Sequence, residues 1–486
     1  MSQFRIAQSV IDNLKSKFIL NSFWGVIANL IQNILFSLFF VIVARKYNST
    51  DFSSYILANT VYGLVLAFSS LGLGQWFVRR LLEEVDKEVL IHQFFKLQCI
   101  IGVVFYGFNI LLAFVLYKDH LIRQLSVLIG VNIIFDNIIY VIKYINIAQL
   151  NQKKTFLIQT VESLLKFLLG SVILYTPISM PFLALMIITL RFLTLNFFLH
   201  IGTKIPIRLS YFLKSKIDVK TFKSLVINNW PFIVIGSISV LFWKMGNMLI
   251  ANYLTLIDVA HYEISFKLFS MAEVIPVIVS TSLFPTLLKK LKEDKEGAIR
   301  FYKNVFLGYA LYGCMAFTFI YSFSDQIIPW LFGVKFIATP IYCKEMFLTM
   351  LVFPTAILQA NLLVALHQEK VDMWLNIASL VFNVLISITG LYFVKSITVI
   401  NLSILLSFLI FHLLQDHFLI KSKIISLKSA LYFYVFITIG LVVYFILSQY
   451  LMPIFVFLIF WSLIMVVLYY YKVAGNKRNI PLASIQ

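Results

Sequence analysis

Fourteen apolar stretches of roughly 20 residues, separated by short polar turns, run along the chain from about Phe18 to Tyr471. Each is long enough to cross the hydrocarbon core of a bilayer as a helix, the form in which a backbone satisfies its own hydrogen bonds without water. The predicted spans are 18–44, 52–75, 94–117, 121–148, 156–177, 180–202, 228–254, 260–288, 302–323, 337–365, 372–394, 396–420, 429–449 and 452–471. This is the pattern of an all-α polytopic membrane protein with almost no room for a soluble domain. The first stretch is too long for a signal-peptide core and has no small-residue cleavage site behind it, so it reads as a retained span and the mature chain as the whole chain.

Between the sixth and seventh spans lies the longest internal polar stretch, and it is basic. It divides the chain into an N-lobe at 1–202, a linker at 203–227, a C-lobe at 228–420, and a last pair of spans with a tail at 421–486. An internal repeat supports two six-helix halves in parallel orientation. Ala44, Asp51, Tyr55 and Ala58 recur at an offset of 207 as Ala251, Asp258, Tyr262 and Ser265. In each half an outward helix ends at the Ala and the next starts by the Asp, which the pattern predicts to be its N-cap. Transporters built from such repeats hold their substrate between them.

Composition agrees with a lipid solvent: 61% of residues are hydrophobic, 13% are charged, and mean hydropathy is +0.92. A net charge of +19 would suggest nucleic acid in a soluble protein, but its distribution points elsewhere. With the N-terminus inside, the inner turns and termini carry 28 Lys and Arg against 6 on the outer turns. The positive-inside rule therefore places both termini in the cytoplasm, and no nucleic-acid partner is expected. Cys99, Cys314 and Cys343 fall in or beside spans without paired spacing, so neither a disulfide framework nor a metal site is expected.

Candidate chemistry resides in charges within the spans: Lys143, Lys166, Arg191, Lys244, Lys267 and Lys344. Each costs roughly 2.5 to 3.5 kcal/mol at a bilayer centre, which favours an inward face. Glu162 and Lys166 lie i,i+4 on the fifth span, as Glu263 and Lys267 do on the eighth, with Glu N-terminal to Lys in both. Mutual neutralisation and ligand binding both fit these pairs. Asp136, Tyr140 and Lys143 share a face of the fourth span. Lys244 has Asn247 beside it on the seventh, and the first span carries Asn29, Gln32 and Asn33 on a polar stripe. Lys143, Arg191 and Lys244 have no oppositely charged neighbour one turn away. The last two spans, by contrast, hold no charge between Ser429 and Tyr471; simple anchoring and a groove for an isoprenoid tail both fit.

No phosphate-binding loop, H-E-x-x-H or G-x-S-x-G motif occurs, which disfavours ATP hydrolysis and common hydrolytic chemistry. Three readings stand: an exporter of anionic amphiphiles, a multidrug-type cation exporter, and a membrane polysaccharide polymerase. The intramembrane acids Asp136, Glu162, Glu263, Glu273, Glu345 and Asp416 equal the bases in number, so location, not count, separates the first two.

Ala44 to Ala58 (ARKYNSTDFSSYILA), LGLGQWFVRR at Leu71 to Arg80, and Tyr262 to Pro285 (YEISFKLFSMAEVIPVIVSTSLFP) resemble the Wzx-type polysaccharide flippases of the multidrug, oligosaccharidyl-lipid and polysaccharide (MOP) exporter superfamily. The resemblance implies a V-shaped bundle of two six-helix lobes plus two helices, no catalysis and no cofactor. It also implies alternating-access transport of an undecaprenyl-pyrophosphate-linked oligosaccharide, with H+ or Na+ coupling and with a polysaccharide polymerase and assembly proteins as partners. Lys143, Lys166, Arg191, Lys244 and Lys267 are then the expected diphosphate or acidic-sugar contacts, since Lys and Arg can offset such charge in a desolvated cavity. Of these, Lys267 matches a basic position on the family's eighth helix. Asn29, Gln32, Asn33, Tyr140 and Asn247 are the expected polar lining, and Asp136, Glu162 and Glu273 the ion-coupling candidates. The uncharged first span departs from relatives that flip the peptidoglycan precursor, which turns the expectation towards an O-antigen or capsular repeat unit.

Overall fold

A computed structural model describes residues 25–84, 86–203 and 237–478. Every regular element among them is helical. In chain order they are α1 (Gly25–Lys46), α2 (Ser49–Ser69), α3 (Leu73–Glu83), α4 (Lys87–Leu116), α5 (His120–Gly130), α6 (Asn132–Ala148), α7 (Gln152–Tyr175), α8 (Met180–Ile201), α9 (237–253), α10 (Leu256–Glu293), α11 (Lys295–Phe332), α12 (Thr339–Phe347), α13 (Phe353–Ala365), α14 (Glu369–Phe393), α15 (Ile397–Lys421), α16 (Leu427–Tyr450) and α17 (Pro453–Arg478). Thirteen candidate spans are long and apolar enough to cross a membrane among the described residues, so this is a multi-pass membrane protein. The predicted seventh span is described only as α9. The linker predicted at 203–227 lies, apart from Thr203, outside the described residues.

Two predicted spans are interrupted. The fourth consists of α5 and α6, broken at Val131, and the tenth of α12, a 3-10 turn at Leu348–Leu351, and α13. At the first break the Asn109 side chain of α4 donates to the Ser126 carbonyl at 2.9 Å and lies directly against Gly130, where a Cβ would collide with it. At the second, Pro354 stands at the start of α13, where its missing N–H costs no helical hydrogen bond. The second predicted span also ends early. Leu71 and Gly72 take left-handed backbone angles and set off α3 as a separate amphipathic helix.

The repeated turn is real, but its chemistry shifts by three positions. Asp51 is not the N-cap of α2. Asn48 is: its Oδ1 accepts from the Asp51 amide at 2.7 Å, and its Nδ2 donates to Asp51 Oδ2 at 3.0 Å. Before α10, Thr255 plays the same part, accepting from the Asp258 amide at 3.3 Å while Asp258 Oδ2 accepts from the Thr255 amide at 3.0 Å. Asn48 and Thr255 are themselves 207 residues apart, so both copies of the turn carry a reciprocal capping arrangement with Asp one turn inside the helix. Asn48→Ala and Thr255→Ala are each expected to lower stability by about 1 kcal/mol, read as a small fall in the thermal unfolding midpoint of the purified protein.

The chain clusters into two compact units, Met1–Lys267 with Leu380–Ser403, and Leu268–Ser379 with Ile404–Gln486. In the first, α3, α4 and α6 share a core in which Phe77 and Phe94 stack at 4.0 Å. Gly74 presses against Tyr144, and its amide donates to the Tyr140 hydroxyl at 2.8 Å. A methyl group there would land in the Tyr144 ring. Gly74→Ala is therefore expected to destabilise by about 1–3 kcal/mol, measurable as a lower unfolding midpoint with α3 losing its protection from proteolysis first.

In the second unit the terminal pair α16–α17 is held to α11 through Thr318. Its carbonyl accepts from the Tyr444 hydroxyl at 2.9 Å, and its hydroxyl accepts from Trp461 Nε1 at 3.1 Å. Most of both terminal helices remains apolar and exposed, as lipid-facing helices are.

Candidate functional site

Three helices of the first unit bring charge to one place, and a fourth adds a hydroxyl. Arg191 of α8 reaches Asp136 of α6, with Nε 2.8 Å from Oδ1 and a second contact through its terminal nitrogen, and it also bonds Glu162 of α7. Lys166, one turn beyond Glu162, pairs with it at 2.9 Å. The Tyr62 hydroxyl of α2 donates to the other oxygen of Asp136. Both acids are buried, and Arg191 is 15% exposed. Two carboxylates shared between one guanidinium and one ammonium balance their charge in a low-dielectric setting, where the rigid fork of Arg can serve both.

A second pair sits on α9 and α10. Lys244 meets Glu263 at 3.1 Å, and Asn247 donates to the other Glu263 oxygen at 2.5 Å and to Thr60 of α2 at 3.2 Å. Glu263, one turn from Lys267 along the same helix, thus also reaches across helices to Lys244. Lys267 lies 5.8 Å from the Phe40 ring centroid, and Lys166 lies 5.0 Å from that of Phe36, both close enough for cation–π attraction.

These groups surround a cavity of about 380 Å³. Its wall carries Lys166, Arg191 and Lys267 against Glu162 and Glu263, with Gln32, Asn59, Tyr62, Asn132 and Gln159 as neutral hydrogen-bonding groups. Asp136 and Lys244 stand directly behind it through their ion pairs. Lys143 is half-buried on α6 and makes no ion pair among the described residues.

The other candidates are placed as follows. Gln32 lines the cavity and donates to Thr160 at 3.3 Å, whereas Asn29 and Asn33 on the same stripe are exposed. Tyr140 turns away to α3, where it accepts from Gly74 and packs on Tyr144. Glu273 belongs to the second unit, with one carboxyl oxygen buried and lacking a hydrogen-bond partner. Asn59, Tyr62, Asn132 and Gln159 were not among the candidates. Tyr55, Asn59 and Tyr62 fall at i, i+4 and i+7 on one face of α2, and Gln159, Glu162 and Lys166 at i, i+3 and i+7 on α7. That helical spacing was the available signal.

Residues 19–339 match the family described as polysaccharide biosynthesis protein. The chain belongs to that family. No curated protein matches this polysaccharide biosynthesis protein in sequence. Among solved structures it is similar to the lipid II flippase MurJ in an inward closed conformation, at 16% identity and a TM-score of 0.67, covering 93% of this chain and 99% of that one. It is also similar to a multidrug resistance MATE family transporter of the MOP superfamily. The inward-facing conformation matches at 11% identity and a TM-score of 0.65, over 82% of this chain and 95% of that one. The outward-facing conformation matches at 13% identity and a TM-score of 0.57, over 85% and 96%. The fold of this polysaccharide biosynthesis protein is thus the all-α fold of MOP-type transporters.

Proposed function

We propose that this member of the polysaccharide biosynthesis family is a flippase. Its substrate is an undecaprenyl-pyrophosphate-linked oligosaccharide repeat unit, moved by alternating access from the inner to the outer leaflet of the bacterial cytoplasmic membrane for O-antigen, capsule or related polysaccharide. The observation that carries this reading is the charge balance around the cavity. Lys166, Arg191, Lys244 and Lys267 face three carboxylates, Asp136, Glu162 and Glu263, a surplus of one positive charge. A diphosphate entering such a site is drawn to cations already held in place, while Asn59, Asn132 and Gln159 hydrogen-bond sugar hydroxyls. A multidrug-type cation exporter requires the opposite balance, and here each carboxylate at the site is already engaged by a base. The excess of basic residues on one set of turns supports cytoplasmic termini. Asp136 and Glu162, shared with Arg191, are the groups through which an H+ or Na+ gradient would act.

The test is reconstitution in liposomes with a labelled undecaprenyl-pyrophosphate oligosaccharide, following its movement between leaflets with and without an imposed H+ or Na+ gradient. Translocation above protein-free liposomes is the expected result. Its absence with folded protein, together with uptake of a lipophilic cation, would replace the flippase by the cation exporter.

A further inference from the structure

A second cavity, of about 680 Å³, lies wholly within the second unit among α11, α13, α15, α16 and α17, and the transport reading above makes no use of it. Its two ends differ in chemistry. One is apolar, walled by Phe306, Phe433, Phe436, Val467 and Leu468. Phe436, Val467 and Leu468 also line an adjoining, almost entirely apolar cavity of about 300 Å³ that continues along α16 and α17.

The other end is lined by Asp416 of α15, Gln359 of α13 and Tyr302 of α11, each more than nine-tenths buried, with exposed Lys303 beside Tyr302. Asp416 is held firmly. Gln359 Nε2 donates to its Oδ1 at 2.6 Å, the Tyr434 hydroxyl donates to its Oδ2 at 2.7 Å, and His412 Nδ1 stands 3.2 Å from Oδ2. Among the described residues no Lys or Arg is ion-paired with it. A carboxylate only accepts, so Gln359 must turn its nitrogen to Asp416, and its amide oxygen is left over. Tyr302 lies against the Gln359 side chain, and neither that Oε1 nor the Tyr302 hydroxyl completes a well-formed hydrogen bond. Buried polar atoms without partners are rare and mark a place where something is missing.

Three oxygens at one end of an otherwise greasy cavity, one of them charged, call for a group with several N–H donors and a positive charge. A primary ammonium has three such donors. The apolar walls require hydrocarbon attached to it, and Lys303 at the rim suits an anion a few bonds away. We propose that this cavity binds the headgroup of an ethanolamine phospholipid. The ammonium sits on Asp416, Gln359 and Tyr302, the phosphate turns to Lys303, and an acyl chain lies along Phe436, Val467 and Leu468.

Native mass spectrometry of the full-length protein in a mixture of phosphatidylethanolamine, phosphatidylcholine and phosphatidylglycerol tests this directly. One phosphatidylethanolamine should be retained about tenfold over the other two, since a charge-assisted hydrogen bond is lost when the amine has no N–H or is absent. Asp416→Asn and Tyr302→Phe should erase that preference, and Lys303→Ala should weaken it. If Asp416→Asn does not fold, Leu468→Trp fills the apolar end without touching the polar cluster and should exclude the lipid on its own. Equal retention of all three lipids overturns the proposal. So does retention of a long-chain primary amine as strong as that of phosphatidylethanolamine and unchanged by Lys303→Ala, which would make this a site for lipophilic amines.

Discussion

Arg191→Ala is expected to destabilise the protein by about 3–5 kcal/mol, the cost of leaving a buried ion partner uncompensated. Asp136 would lose its ionic partner, keeping only the Tyr62 hydroxyl, and Glu162 would keep only Lys166. Thermal unfolding of the purified variant, or its level in the membrane when it cannot be purified, reads the effect. Combining Arg191→Ala with Asp136→Asn should recover part of the loss, because the neutral amide costs less to bury than an unpaired carboxylate. A double variant no more stable than the single one would show that Arg191 contributes by packing and not by charge. Arg191→Lys should be intermediate: one ammonium has no planar fork with which to hold Asp136 and Glu162 together.

Lys267→Ala is expected to reduce translocation of the lipid-linked oligosaccharide ten- to hundredfold, the range of a charge-assisted hydrogen bond to a diphosphate, a larger loss than any fall in its unfolding midpoint accounts for. Lys267 lines the cavity, and the ion pair at Glu263 is made by Lys244. Leaflet-exchange rates in liposomes, paired with unfolding curves, separate the two readouts. Normal transport by Lys267→Ala would remove Lys267 from the substrate contacts. Lys244→Ala makes the useful contrast, since it should lower both stability and transport.

Much of the fold was legible because lipid imposes it. A run of 20 apolar residues has few alternatives in a bilayer, and the repeat at offset 207 marked two turns of matching chemistry. The misses share a cause: helical periodicity shows only which residues share a face of one helix. It correctly found Glu162 with Lys166, but Arg191 met Asp136 and Glu162 from sequence distances of 55 and 29, and Lys244 took Glu263 across helices. The Asp51 and Asp258 turns were located, yet the caps proved to be Asn48 and Thr255, because a capping side chain and its reciprocal partner both favour short polar residues. The break at Val131 lies between Gly130 and Asn132, and what sits against it is Asn109 on another helix, a partner that helical spacing cannot show.

The three-way meeting of Asp136, Glu162 and Arg191 also fixes an order of assembly. Synthesis delivers α6 and α7 to the membrane before α8, and each of these two brings its own base, Lys143 seven residues after Asp136 and Lys166 four after Glu162. The α7 charges stand one turn apart and can enter the bilayer as a pair, whereas those of α6 cancel only in sum, two turns apart. Arg191 is the sole charged residue in the body of α8, so α8 is the one helix of the three that arrives unbalanced, at a cost of roughly 2.5 to 3.5 kcal/mol near the bilayer centre. Its stable residence in lipid depends on acids already waiting there, which makes biogenesis of this half sequential: the earlier helices act as the receptor for the later one.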